Sequence, residues 1–480
     1  MRLARLGIVL ASLSTAGLFV GGCMVGPNYK RPPVPEPALF KSDTTAGTAP
    51  AVEADWWRLY RDPDLDQLIA TAHASNQTLQ QAVARVDQAR ALARVAGSYL
   101  YPTISADPHF SHTTYSQNRK GTISGRQATS RVTLNDFLIP LNLSYELDVW
   151  GRVRRTLESA RAQTAASAAD LGVVRLTIET EVAQYYYSLR SLDAQVQILS
   201  DTVVAYREQL RVMSAQLRAG LVSPIVVSQA EAQLETTLAQ LRDAQRARAN
   251  LEHALAIVCG QAAPTFAVAP NPLHEASPPE VPAGLPSELL ARRPDVAEAE
   301  QNVVAANAQI GVATASFFPR FTLTALAGLE SFEISSLFTW QSRAASIMPS
   351  VSIPIFEGGR LKAQLEATKA VYRETVATYV NQVLIAYGDV EDALTDLRAT
   401  SDEVQNLRRA VTASREYVRL ANVQYKQGLT DYLLVIDAER TLLANQVSLA
   451  QMVNLQMAAS IRLIRALGGG WARAETTASR

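Results

Sequence analysis

Few residues in this 480-residue chain have the types and spacing that catalysis requires. His109 and His112 lie three apart in a stretch with the pattern of a strand, so their side chains would point to opposite faces rather than to one metal ion. The Gly-Gly-Arg at 358–360 lacks the lysine and the hydroxyl of a phosphate-binding loop. Cys259 stands near the end of an apolar stretch and is expected to be a small core residue. The sequence therefore predicts no catalytic residue, no metal site, no cofactor and no enzyme activity.

Cys23 is the residue with the clearest chemical role. It follows a charged start and an apolar stretch at 6–20 that is too short to span a bilayer comfortably. The Val-Gly-Gly-Cys at the end of this stretch resembles a bacterial lipobox, in which small residues let a peptidase cut before the cysteine. We therefore predict a signal peptide at 1–22 and a lipid on Cys23, with an ordinary secretory signal as the alternative. Met24, which stands where some sorted lipoproteins have Asp, favours the outer membrane by resemblance to them.

The charge balance excludes one class of partner. The chain has 45 acidic and 45 basic residues and no formal net charge. Binding to nucleic acid needs many cationic side chains opposite phosphates, and this chain has no excess of them. Ala, Gln, Leu and Val dominate long segments, and this composition is typical of long helices.

The strongest pattern is an internal duplication. Gly220 and Gly428 are 208 residues apart, and the leucine after each glycine and an Ala-Glu pair further on keep the same spacing. Upstream the spacing becomes 217, since Pro102 matches Pro319, so the first copy has nine extra residues. The predicted organisation is a signal peptide at 1–22, a lipid-anchored extended segment at 23–61, a first repeat at 62–261, a Pro-rich link at 262–287, a second repeat at 288–470 and a tail at 471–480.

Long helices dominate each copy. The first is predicted to begin at Pro63, with Asp62 as its N-cap, and to run to about Leu100. Residues 153–217 contain no proline and carry apolar residues in steps of three and four, which is the heptad pattern of a coiled coil. The helix that follows each Gly turn is the natural antiparallel partner of this long helix.

Four strands are predicted between these helices. Apolar and polar residues alternate at 137–148, 321–329 and 347–355, and a fourth strand within 103–117 is placed by the symmetry of the repeat. Strands of about ten to thirteen residues can cross a bilayer when they are tilted. A four-stranded sheet in lipid would leave two unpaired edges, so closure into a barrel needs several chains. Two, three or four chains would give eight, twelve or sixteen strands, and a conducting pore favours three or more chains.

Several motifs together resemble one family. They are CMVGPNYKRP after the lipobox, WWRLYRDPDLDQLI, LLARRPDV, the Phe-Phe-Pro before a strand, FEGGR and KQGLTDYLLVIDAERTLL. Over roughly residues 23–470 the chain resembles the TolC-like outer membrane factors, in the branch that serves resistance-nodulation-division pumps. The resemblance implies a membrane β-barrel of twelve strands, made by a homotrimer whose protomers each give four strands, and a long α-helical coiled-coil tunnel in the periplasm. It also implies an outer-membrane exit duct for drugs or other small toxic compounds, which works with a periplasmic adaptor and an inner-membrane pump.

The same resemblance assigns functional residues to the two Gly turns. The turns would form the periplasmic tip that meets the adaptor, and the second turn would also hold the gate, at Tyr425, Asp431 and Asp437. Tyr425 also falls on the heptad seam and could be a packed core residue, and Asp431 could simply cap the returning helix. Asp437 stands in an apolar run and is expected to face water, in an acidic ring. The predicted docking residues are Gly220, Leu221, Val222, Ser223, Gly428, Leu429 and Thr430.

The sequence is also compatible with other functions. The same channel could serve type I protein secretion or metal-ion export, although no stretch rich in Met or His favours metal. A lipid-anchored, non-conducting coiled coil is a further alternative, but it would need neither amphipathic strands nor a repeated turn. The second copy alone has Tyr425, Asp431 and Asp437, so we expect the second hairpin to be the one that moves if the tip opens.

Overall fold

The chain is described by a computed structural model, in which two compact units are each built from three segments. The first unit comprises Met1–Pro32, Asp87–Ala165 and Glu300–Ala377, and the second comprises Pro33–Val86, Ala166–Ala299 and Thr378–Arg480. Each unit therefore takes residues from both predicted copies of the repeat. The described residues are 24–35, 37–41, 53–116, 122–123, 126–127, 132–273, 277–279, 281 and 291–472. The predicted signal peptide, Cys23, part of the predicted link and most of the predicted tail lie outside them.

Seven α-helices form most of the described chain. No helix in these ranges combines the length and the apolar character that a membrane span requires. The helices are α1 Pro63–Ser75, α2 Gln77–Ser98, α3 Arg152–Arg218, α4 Pro224–Val258, α5 Pro294–Ala315, α6 Arg360–Lys426 and α7 Tyr432–Ala466.

The helices repeat with the spacings seen in the sequence. α3 and α6 have 67 residues each, α4 and α7 have 35 each, and their matching ends are 208 residues apart. α2 and α5 have 22 residues each and are 217 apart. At roughly 1.5 Å per residue, α3 and α6 are each about 100 Å long. The long helix predicted at 153–217 is therefore confirmed, and both copies fold into the same helices.

The helix predicted from Pro63 to about Leu100 is wrong in one respect, because it breaks at Asn76. Asn76 has an extended backbone and is buried, with 6% of its surface exposed. Its amide donates a hydrogen bond of 2.7 Å to the Val258 carbonyl, and its side-chain oxygen accepts one of 2.9 Å from the Leu79 N–H. The residue thus caps α2 and fastens the break to the end of α4.

The strands form one antiparallel sheet, and a short hairpin stands apart from it. Strands β1 and β2 both pair with β5, β5 pairs with β6, and β6 pairs with β7. The four predicted strands are confirmed, except that β7 ends before Ile353 and Ile355 and that 107–108 interrupt the strand placed by symmetry. The bounds are β1 Thr103–Ala106, β2 His109–Tyr115, β3 Thr122–Ile123, β4 Arg126–Gln127, β5 Val132–Leu147, β6 Arg320–Ser331 and β7 Arg343–Ser352.

The register gives this sheet one apolar face. Paired residues share a face, and Leu143 pairs with Ala325, which pairs with Ile347. The next row contains Ser144 and Thr324, and polar residues are frequent on this opposite face. The alternation predicted from the sequence is therefore aligned across the strands. Among the histidines, His112 pairs opposite Asn135 and His109 opposite Leu138, so they lie on opposite faces as predicted.

The long helices of the second unit pack through the predicted heptad positions. Val182, Leu189, Val203 and Tyr206 of α3 are each at most 3% exposed. Burial of a large apolar side chain is worth roughly 1.5–3 kcal/mol, so these buried positions stabilise the packing of the helices. Near the two Gly turns all four helices contribute to one cluster, whose members include Met213, Ala230, Ala421, Tyr432, Val435 and Ile436.

Candidate functional site

Each long hairpin reverses direction in the same backbone motif. Gly220 has φ +70° and Gly428 has φ +72°, a left-handed conformation that glycine adopts at little cost. In both turns the glycine N–H donates three residues back, and the leucine N–H donates five residues back at 2.9 and 3.0 Å. These are Schellman C-caps, which satisfy the last carbonyls of α3 and α6. The helix-breaking role predicted for both glycines is thereby confirmed.

The tips of these turns are open and apolar. A Cβ added at Gly220 or Gly428 would meet no atom within 4 Å. Leu221 and Leu429 are 73% and 72% exposed, and Ile225 is 67% exposed. Large exposed apolar side chains at equivalent positions give each tip a surface that another protein can cover.

The two returning helices begin differently. Ser223 caps α4, since its hydroxyl accepts from the Ile225 N–H at 3.4 Å and Pro224 stands at the first helical position. Asp431 occupies the same position before α7, but its side chain makes no capping hydrogen bond. The Asp431 carboxylate is exposed instead. Its position is that of a cap, while its charge remains available to solvent or a partner.

Tyr425 connects the two hairpins. Its ring centroid lies 5.6 Å from that of Tyr432, and its hydroxyl lies 3.7 Å from the Met213 sulfur of α3. The side chain is half-buried and packs against the cluster near the turns. Tyr425 is therefore packed on the heptad seam, and through Met213 it also ties the second hairpin to the first.

Asp437 faces solvent, as the sequence predicts for a lone carboxylate in an apolar run. It accepts a hydrogen bond of 3.1 Å from the Tyr417 hydroxyl on α6. This bond joins the two helices of the second hairpin. The carboxylate keeps access to water, which an ionised group in an acidic ring would need.

One group near the turns was missed by the sequence reasoning. Glu439 lies on the inner side of α7, where the side-chain amide of Gln209 donates to its Oε1 at 2.5 Å. Burial raises the pKa of Glu439 to about 7, against the lowering effect of the Gln209 hydrogen bond. Its counterpart in the first repeat, Glu231, is exposed. Nothing in the repeated Ala-Glu pair distinguishes these two glutamates, so only the packing could reveal the difference.

The chain next to the predicted lipid anchor is fixed in the first unit. The Val25 N–H donates to the Trp150 carbonyl at 3.1 Å. Gly26 lies so close to Gly311 that an added Cβ would come within 2.5 Å of its Cα. Asn307 donates to the Pro27 carbonyl at 3.0 Å. The segment after Cys23 therefore packs beside the junction between β5 and α3.

The remaining residues that could be reactive or bind a metal ion have structural roles. Cys259 is fully buried at the end of α4, and burial raises the pKa of its thiol to about 11, so it is the small core residue that the sequence predicts. Within the described ranges, no group of three or more His, Cys, Asp or Glu residues could hold a metal ion.

This chain, with its two long helical hairpins and its antiparallel sheet, is similar to solved outer-membrane channels. The structure of the outer-membrane channel OprN matches this chain with a TM-score of 0.86 and 31% identity, and it covers 94% of this chain and 100% of that one. Among curated relatives, the toluene efflux pump outer membrane protein TtgC of Pseudomonas putida is 32% identical, with 96% of each chain covered. The cation efflux system protein CusC of Escherichia coli is 31% identical, over 95% of this chain and 97% of the relative.

The family model described as outer membrane efflux protein matches residues 68–261 and 285–469. The chain belongs to this family, as the motifs predicted, and it is an efflux protein of the outer membrane.

Proposed function

We propose that three copies of this chain form the exit duct of a tripartite efflux system, through which organic toxic compounds leave the cell. The observation that carries the proposal is the match of both repeats to the outer membrane efflux protein family, together with the similarity of the chain to a solved outer-membrane channel. A periplasmic adaptor and an inner-membrane pump would complete the system, and the duct itself would be passive.

The need for several copies follows from the sheet. Its edges in the described residues are β1 and β2 on one side and β7 on the other. Edges in hydrocarbon would leave N–H and C=O groups unpaired, at several kcal/mol for each group. Pairing of β7 with β1 and β2 of the next copy would remove every edge, and three copies would give twelve strands around an open pore.

A lipid on Cys23 would supplement this anchor. The packed segment from Val25 to Pro27 supports an anchor beside the junction of sheet and helices. A single acyl chain holds a protein only weakly, so in this arrangement the barrel would be the main membrane anchor. The signal peptide at 1–22 and the division into repeats at 62–261 and 288–470 belong to the same proposal.

The two turns would form the adaptor-docking tip. The exposed Leu221 and Leu429, flanked by Val222, Ser223 and Thr430, support an apolar contact repeated six times in a trimer. Tyr425, Asp431 and Asp437 would form the gate, in which Asp437 faces the lumen and Tyr425 holds the second hairpin against Met213.

Organic cargo is the first candidate because relatives such as the toluene efflux protein share both repeats. Metal ions are the second candidate, favoured by the similarity to a cation efflux protein. Deletion of the gene should raise cellular accumulation of organic solvents and drugs several-fold, and the wild-type gene should restore export. If deletion instead raised accumulation of metal cations alone, the second candidate would replace the first.

A docking variant separates export from pore formation. Leu221→Asp with Leu429→Asp should abolish restoration of export while the purified protein still inserts in membranes, because a charge at each tip disrupts an apolar contact. Val204→Asp, at a 64% exposed position on α3 away from the turns, serves as the control and should restore export. Equal export by both variants would contradict the docking surface.

A further inference from the structure

A hydrogen-bond network joins the two hairpins about two helical turns from the tip of the second. The Gln209 amide on α3 donates to Oε1 of Glu439 on α7 at 2.5 Å. The Gln209 carbonyl accepts from the Tyr432 hydroxyl, also on α7, at 3.0 Å. One glutamine of the first hairpin therefore holds two side chains of the second.

The surroundings of the Glu439 carboxyl stabilise its ionised form poorly. Its Oε2 is buried and has no hydrogen-bond partner in the described chain. An ionised carboxylate with a single neutral donor in such a place is costly, whereas the protonated acid is not charged and loses less. The raised pKa of about 7 has burial as its cause, so the proton is exchanged near neutral pH.

The neighbouring titratable groups do not neutralise this carboxylate. Tyr206 on α3 and Tyr432 on α7 face it, and burial raises the pKa of both, that of Tyr206 to about 12, so both are neutral at pH 7. The positive charge of Arg440 on α7 lowers the pKa of Tyr206, and the nearby Tyr425 on α6 raises that of Tyr432. From α4 the group beside Tyr206 is an uncharged glutamine, Gln233.

We propose that Glu439, Gln209 and Tyr432 form a proton-sensitive clasp between the two hairpins. A protonated Glu439 keeps the second hairpin packed on the first, and an ionised Glu439 favours its release. Release of the second hairpin would open the tip, so the pH of the surroundings would set how often the tip is open. Only this last step rests on the proposed function.

The clasp has no counterpart at the equivalent positions of the repeat. At the equivalent positions of the repeat, Gln209 matches Tyr417 and Tyr432 matches Pro224, so neither partner of Glu439 has a counterpart. Glu231, which matches Glu439, is exposed and makes no such contact. Glu231 is therefore a matched control within the same molecule.

The size of the effect follows from the two pKa values. If Glu439 titrates near 7 in the packed state and near its ordinary 4.5 in the released state, protonation strengthens packing as the pH falls. Between about pH 8 and about pH 5.5 the ratio of packed to released hairpins should rise about 30-fold.

Hydrogen exchange of the purified full-length protein in detergent, corrected for the intrinsic rate at each pH, tests this directly. Peptides around Gln209 and Glu439 should gain about 30-fold protection from about pH 8 to about pH 5.5 in the wild type and in Glu231→Gln. Glu439→Gln keeps the shape and removes the charge, so it should be protected equally at both values. Retention of the full pH dependence in Glu439→Gln, or its loss in Glu231→Gln, would overturn the clasp.

A second variant keeps the test decisive if Glu439→Gln folds poorly. Tyr432→Phe removes the hydroxyl that orients Gln209, so protection at about pH 5.5 should fall several-fold while the pH dependence remains. Unchanged protection would contradict the network. Hydrogen exchange does not depend on conduction. A protein with the expected pH-dependent protection but no conductance would therefore contradict the exit duct and still support the clasp.

Discussion

The tip glycines should tolerate larger side chains better than equivalent glycines elsewhere in the same fold. Gly468 follows α7 in the same cap motif as Gly428, with φ +94° and the same pattern of hydrogen bonds. An added Cβ at Gly468 would lie 2.1 Å from the Arg292 carbonyl oxygen, whereas at Gly428 it would meet nothing. The two positions therefore share a backbone requirement and differ in packing.

The expected magnitudes follow from this difference. Alanine in a left-handed conformation destabilises the folded state by about 1–2 kcal/mol. It also lowers the conformational entropy of the unfolded chain, which stabilises the protein by about 0.4–1 kcal/mol. Gly428→Ala should therefore lower the free energy of unfolding by about 1 kcal/mol. Gly468→Ala would also displace the neighbouring backbone, which should lower the free energy of unfolding by about 1–3 kcal/mol more. Gly428→Asn should cost less than Gly428→Ala, because asparagine adopts this conformation more readily.

Thermal unfolding of the purified variants measures the difference. At about 2 °C per kcal/mol, Gly428→Ala should lower Tm by about 2 °C and Gly468→Ala by about 4–8 °C. An equal or larger loss for Gly428→Ala would refute the reasoning, because it would mean that the tip turn is packed rather than open.

Three further changes test other parts of the account. Cys23→Ala should abolish labelling with radioactive palmitate but leave the protein in the membrane fraction, since the proposed barrel would provide the main anchor; loss from that fraction would contradict this. Asp437→Ala should raise ion conductance several-fold, while Gln229→Ala at the equivalent position of the first repeat should not, and equal conductances would exclude an acidic ring. Cys259 should resist iodoacetamide at about pH 8 in the folded protein, because its pKa of about 11 leaves little thiolate, and should react after unfolding. Rapid labelling of the folded protein would show that the end of α4 is open.

The parts of the fold that depend on local pattern could be predicted from the sequence. The heptads of α3, the alternation of β5 and the capping of α1 by Asp62 depend on neighbouring residues. The duplication then placed the poorly alternating strand that became β1 and β2. The two turns were also predictable, since glycine there is required by the backbone itself.

The parts that depend on distant packing could not be predicted. The break at Asn76 is held by a carbonyl 182 residues away, and a single asparagine in a helical stretch gives no sign of it. The environment of Glu439 is set by Gln209, 230 residues earlier, and the same Ala-Glu pair is exposed in the first repeat. The dual position of Tyr425, on the seam and against Met213, likewise needed both hairpins to be seen together.

Single-channel recording in planar lipid bilayers tests the central claim most directly. The purified wild-type protein should form long-lived pores of uniform conductance, because in the proposed duct three copies would close one barrel around a lumen. A folded, membrane-inserted oligomer that shows no conductance at any pH from about 5.5 to about 8, where the Glu439 clasp would titrate, would contradict the exit duct.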